Sequence, residues 1–168
     1  MTNYNNKRRK TVTLALFTAM SLILFVVEMQ IPPLTPIPGI KLGLCNIIPL
    51  FILHKREYKA FDAVLVVFAR VLLAGAITGS STSLIFSLCG SLAAILIMIG
   101  FRKLFGGKLI PTTSVAGALA HNITQVTVAV VIYSSTSVLL YLPILIFGAI
   151  LSGLLTGFAV TLILRRLS

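Results

Sequence analysis

Apolar runs of about 20 residues recur along most of this chain, and short basic clusters separate them. At 1.5 Å per residue, a helix of that length crosses the ~30 Å hydrocarbon layer of a bilayer. A soluble alternative fails on charge. Only 10% of the 168 residues are charged, with three acidic against 14 basic. A soluble domain of this size carries roughly a quarter charged residues. The mean hydropathy of +1.08 points the same way. The chain is therefore expected to be an all-α membrane protein, a bundle of about six transmembrane helices. A basic segment over residues 1–10 is expected to precede a single domain over 11–168.

The spans follow from the breaks between runs. The first runs from Thr11 to Gln30, too long for a signal peptide. Pro32, Pro33, Pro36, Pro38 and Gly39 then interrupt any helix. A second apolar segment, Ile40 to Leu53, reaches only ~21 Å. It is either a tilted crossing in a thinned membrane or a re-entrant segment, and Pro49 predicts a kink. Further helices are expected over Phe61–Thr78, Ser83–Gly100, Thr112–Tyr133 and Val138–Leu164, separated by polar turns or basic loops.

Charge sets the orientation. If the N-terminus is cytoplasmic and every span crosses, twelve of the 14 Lys and Arg residues fall on the cytoplasmic side. They form clusters at Lys7–Lys10, Lys55–Lys59, Arg102–Lys108 and Arg165–Arg166. Both termini are expected in the cytoplasm, and segment 2 must cross to keep the later clusters together. This distribution also argues against nucleic acid as the partner of the +11 net charge. The lipid bilayer is the partner it fits. Cys45 and Cys89 lie in apolar surroundings without metal-ligand spacing and read as packing residues.

Two basic residues stand apart from the clusters. Arg70 lies about ten residues into its helix, ~15 Å deep and near the midplane. A charge there costs at least ~2.5–3.5 kcal/mol on insertion scales. It serves either to bind an anion or to complete a structural ion pair or cap. Lys41 opens segment 2 between Gly39 and Gly43, where a helix start favours anions. Glu28 is its obvious counter-ion, so an interfacial Glu28–Lys41 pair and a ligand role both remain open. Asn46 follows five residues later on nearly the same face. His121, Asn122 and Gln125 sit midway along the fifth helix and are expected to share one face. Gly117, one turn earlier, is expected to leave space beside them. Polar groups at that depth must find partners.

Small residues repeat at spacings of four: Ala15 and Ala19; Gly75 and Gly79; Ser83, Ser87 and Ser91; Ala149, Gly153 and Gly157. Such stripes let helices approach closely within the bundle, and one of them suits a partner membrane protein. No Walker A motif occurs. Glu28, Glu57 and Asp62 are the only acids, which gives no mid-membrane carboxylate pair for ion coupling. No nucleophilic triad can be assembled.

The stretch Pro38-Gly-Ile-Lys-Leu-Gly-Leu-Cys-Asn-Ile-Ile-Pro49, with Arg70 and His121-Asn-Ile-Thr-Gln125, resembles the Gx transporter family. That family is also labelled heptaprenyl diphosphate synthase component I. The resemblance covers nearly the whole chain. The architecture is similar to the substrate-binding S components of energy-coupling factor transporters, six-helix proteins with both termini inside. In that group a small-xxx-small motif on helix 1 docks a transmembrane coupling subunit, and separate ATPases supply energy. Ala15-Leu-Phe-Thr-Ala19 matches the motif.

The resemblance implies a membrane subunit that captures a small, anionic, amphipathic solute in the bacterial plasma membrane. Arg70, Lys41, Asn46, His121, Asn122 and Gln125 are the expected substrate-binding residues, in a pocket opening outward beneath the Pro-rich loop. No cofactor or metal is expected. The second label implies instead a noncatalytic membrane component of polyprenyl diphosphate or quinone synthesis. Prenyl synthases hold Mg²⁺ through Asp-rich motifs, because hard cations need oxygen ligands. One aspartate, Asp62, cannot supply them, so the chain is not expected to be an enzyme.

Overall fold

The computed structural model describes residues 2–30 and 44–167, with side chains from Lys7 onward. The described residues form six α-helices and no strand: α1 (Thr2–Met29), α2 (Ile47–His54), α3 (Ala60–Thr78), α4 (Ser81–Leu104), α5 (Ile110–Tyr133) and α6 (Leu142–Leu167). Short 3-10 turns, Leu44–Asn46 and Thr136–Tyr141, lead into α2 and α6. Five segments are long and apolar enough to cross a membrane: Lys7–Met29, Ala60–Thr78, Ser81–Leu104, Ile110–Tyr133 and Thr136–Leu167. The chain is an all-α membrane bundle.

Several boundaries differ from expectation for physical reasons. The basic stretch Lys7–Lys10 continues α1 as helix. Helix α4 runs on through Arg102 and Lys103, whose charges suit the negative end of the helix dipole. Pro111 sits at the start of α5, where its missing N–H would lack a helical partner anyway. The same logic removes the expected kink at Pro49. This proline is the third residue of α2, inside the first turn, where backbone N–H groups have no intrahelical acceptor.

Helix α2 departs most from the sequence reading. Its eight residues rise only ~12 Å. Leu50, Ile52 and Leu53 are fully buried, and Ile48, Pro49 and Phe51 nearly so. A helix apolar all round must be enclosed, and α2 touches each of the five other helices. Around it gather Val66, Val67 and Val71 of α3, Ala94, Ile95 and Met98 of α4, and Val160 of α6. The described part of segment 2 is therefore the centre of the bundle and not a lipid-facing span.

The basic clusters come together at one end. Lys10 pairs with Asp62 Oδ2 at 2.7 Å, joining the start of α1 to the start of α3. The Lys59 N–H donates to the same oxygen at 2.7 Å and caps α3. Asp62→Ala removes both contacts. It is expected to lower unfolding stability by about 1–2 kcal/mol, most of it from the cap, as read by thermal melting in detergent. Lys10→Met should cost less than about 1 kcal/mol, because Lys10 is partly exposed. Equal losses in the two variants would contradict the capping role.

Helices α5 and α6 approach closely. A Cβ on Gly153 would stand 2.7 Å from Val115 Cα, and one on Gly157 would stand 2.5 Å from Pro111 Cα. Beside them Ser114 and Thr156 share a buried hydrogen bond of 2.6 Å. Small residues permit this backbone approach. The Ala149–Gly153–Gly157 stripe thus serves packing inside the bundle.

Candidate functional site

Arg70 is the largest fully buried side chain, 1% exposed. Counting from Ala60 places it ~15 Å along α3, level with the middle of the bundle. A guanidinium carries five N–H donors. Nη1 donates to Cys45 Sγ at 2.8 Å and Nη2 to Ser91 Oγ at 2.6 Å. Its Nε is buried and has no hydrogen-bond partner among the described residues. Arg70 takes part in neither the Lys10–Asp62 nor the Lys55–Glu57 ion pair.

Four further elements meet Arg70 around a narrow cleft. Helix α1 supplies Phe25 and Glu28, one turn apart, and the turn before α2 supplies Cys45. Helix α4 supplies Ser87 and Ser91, and α5 supplies His121 and Gln125. The serines are four residues apart, as are His121 and Gln125, so each pair shares one helix face. The Ser21 hydroxyl donates to the Cys45 carbonyl at 3.0 Å and ties α1 to the turn. The cleft has a volume of only ≈ 10 Å³, room for about one water. A larger solute requires the helices to separate.

Gly90 makes this arrangement possible. A Cβ there would stand 3.0 Å from Gln125 Cγ and from His121 Cε1. Its missing side chain lets α4 seat both polar groups of α5 against the serine face. Gly117 does not play that part. The tip of Met98 fills the space beside it, with Met98 Cγ 2.7 Å from where a Cβ would lie.

The structure gathers Arg70, His121 and Gln125 in one wall. It turns Asn122 elsewhere: its Nδ2 donates to the Leu145 carbonyl of α6 at 2.9 Å. Asn46 is buried next to Cys45 in the chain, outside the cavity wall, and its Nδ2 has no hydrogen-bond partner among the described residues. Lys41 and the Pro-rich loop lie outside the described residues. Ala15 and Ala19 are exposed on α1, in a face that also exposes Val12, Leu16, Met20 and Ile23.

Sequence reasoning missed Phe25, Cys45, Ser87, Gly90 and Ser91 as site residues. The serine spacing was a visible signal, read only as packing. Glu28 was visible too, but as a partner for Lys41 and not as part of the wall that holds Arg70.

Chemically, the described residues of the cleft present a guanidinium, a carboxylate, two hydroxyls, a thiol, an imidazole and an amide. Such groups are costly in hydrocarbon and mark solute or ion pathways. No curated protein and no solved structure gives a significant match to the chain. The family description for heptaprenyl diphosphate synthase component I matches residues 17–163, a stretch holding every residue of the cavity wall. By that match over most of its length, the chain belongs to the heptaprenyl diphosphate synthase component I family.

Proposed function

We propose that this protein is the solute-capturing membrane subunit of an uptake transporter in the bacterial plasma membrane. The observation that carries the reading is Arg70. It is a buried cation at half-depth, with one donor that has no partner among the described residues, beside a cleft lined by polar groups of five elements. A purely structural arginine would be expected to have its donors satisfied by protein. Here the spare donor and the space beside it suit a visiting oxyanion. His121, Gln125, Ser87 and Ser91 orient the solute's polar atoms. Among the described residues, Phe25 is the one large apolar side chain in the wall.

The exposed stripe of Ala15 and Ala19 supports docking to a coupling subunit. Small residues allow close approach of a second helix, and no helix among the described residues covers them. Energy would then come from partner ATPases.

The family description favours a second reading, a noncatalytic membrane partner of a polyprenyl diphosphate synthase. Asp62 is engaged by Lys10 and the Lys59 N–H at the basic end, remote from the cleft, so this chain would bring no Asp-rich Mg²⁺ site to such a complex.

Capture of the full-length protein from its native membranes distinguishes the two. A coupling subunit with a pair of ATPases is the expected catch, and a soluble prenyl synthase in its place would overturn the carrier reading. The Ala15→Leu/Ala19→Leu protein is expected to fold normally, because both positions are exposed, and to lose about tenfold or more of the coupling subunit. Undiminished capture would remove these alanines from the interface.

A further inference from the structure

Arg70 brings more hydrogen-bond donors to the cleft than the described residues use. A guanidinium carries five N–H groups. Cys45 Sγ and Ser91 Oγ take two of them, and Nε has no partner among the described residues. Its charge is unmatched as well. The chain has three acidic residues. Asp62 pairs with Lys10 and Glu57 with Lys55 at the basic end. Glu28 lines the cleft, but it already has a partner of its own and is not left over to neutralise Arg70. A cation 1% exposed at half-depth is costly without an anion beside it.

The size of the space selects among anions. It is ≈ 10 Å³, about one water. Carboxylates, phosphates and sulfonates are polyatomic, and their entry requires the helices to part. A monatomic halide needs no such movement. Chloride is only slightly larger than water and accepts hydrogen bonds from any direction. Two kinds of donor reach it here. Arg70 supplies N–H groups, and Ser87 of α4, 6% exposed, brings a hydroxyl to the same wall. Charge-assisted hydrogen bonds are roughly twice as strong as neutral ones.

We infer that the closed cleft is a halide site, holding one chloride ion on the Arg70 guanidinium with the Ser87 hydroxyl as a further donor. The inference needs neither a solute nor a coupling subunit, so it does not rest on the carrier reading. Where both hold, the solute's oxyanion displaces the chloride, and the two compete for Arg70.

The test uses the full-length protein in phosphatidylcholine nanodiscs, with thermal unfolding followed by circular dichroism. The sodium salts of chloride, bromide, methanesulfonate and gluconate are compared at equal ionic strength, so that screening of the basic clusters is the same in each. An ion that binds only the folded state raises the midpoint as its concentration rises. Replacing gluconate by chloride is expected to raise the midpoint by about 2 °C or more for each tenfold increase in chloride above its Kd. Bromide is expected to act likewise, and methanesulfonate to match gluconate. Arg70→Met is expected to abolish the chloride effect. Ser87→Ala is expected to need about threefold or more chloride for the same shift.

An unchanged wild-type midpoint on replacing gluconate by chloride overturns the inference. An equal rise in methanesulfonate also overturns it, because a space for one water does not admit that ion. So does a chloride effect that survives in Arg70→Met, which would place the ion elsewhere on the protein. If Arg70→Met fails to fold, the wild-type ranking of the four salts and the Ser87→Ala protein decide. The carrier reading is judged separately by partner capture, which uses none of these ions as a probe.

Discussion

The Arg70→Met protein is expected to lose solute binding by two orders of magnitude or more while remaining at least as stable as the wild type. Truncating one partner of a buried charged hydrogen bond costs about 2–5 kcal/mol of binding, which corresponds to roughly thirtyfold to several thousandfold. Stability runs the other way. The guanidinium costs at least ~2.5–3.5 kcal/mol at membrane depth, and its bonds to Cys45 and Ser91 recover part of that. Methionine fills a similar volume with no charge, and replacing buried ions by apolar groups is often neutral or stabilising. The measurements are mass spectrometry of solutes retained through gentle purification and thermal melting of the same samples. Arg70→Lys keeps the charge but loses the planar fork, and it should fall between the two. A variant that retains its solute normally but melts with a loss of about 3 kcal/mol or more would make Arg70 a structural cap.

The second large effect belongs to the α5–α6 contact. Gly157→Leu is expected to destabilise the bundle by about 3 kcal/mol or more and to leave little folded protein in the membrane. The first added carbon would meet Pro111 Cα at 2.5 Å and Ser114 Cβ at 3.1 Å. Backbone at a helix start cannot rotate aside as a side chain can. The two helices would have to part, breaking the Ser114–Thr156 hydrogen bond. Gly75→Ala is the control. Its Cβ would meet the Leu84 side chain, most closely at the flexible Cδ1, so a loss below about 1.5 kcal/mol is expected. Similar expression of the Gly75→Ala and Gly157→Leu proteins would show that α5 and α6 have room to separate.

The five long spans were legible because hydropathy over some 20 residues is a one-dimensional signal. The depth of Arg70 was legible for the same reason, since position along a helix is a count of residues. Rotation about the helix axis was not. His121 and Asn122 are neighbours in sequence but stand about 100° apart around α5, so one faces the cleft and the other bonds α6. Choosing between them needs the packing of α4, which Gly90 sets. Ser87 and Ser91 have the spacing of a packing stripe, and only their meeting with Arg70 shows that they line a cleft. Helix α2 was the hardest to read. An apolar segment of that length looks the same in sequence whether protein or lipid surrounds it.

That enclosure has a consequence for how the protein senses its bilayer. Five helices present apolar side chains outward and will tilt as acyl chains shorten or lengthen. Helix α2 is sheathed by the other helices along nearly its whole length, so thickness has almost no direct grip on it. The Cys45 turn at its head is bound to α1 through Ser21 and to α3 through Arg70. Bilayer strain therefore reaches the cleft second-hand, as relative tilting of those two spans around a core of fixed height.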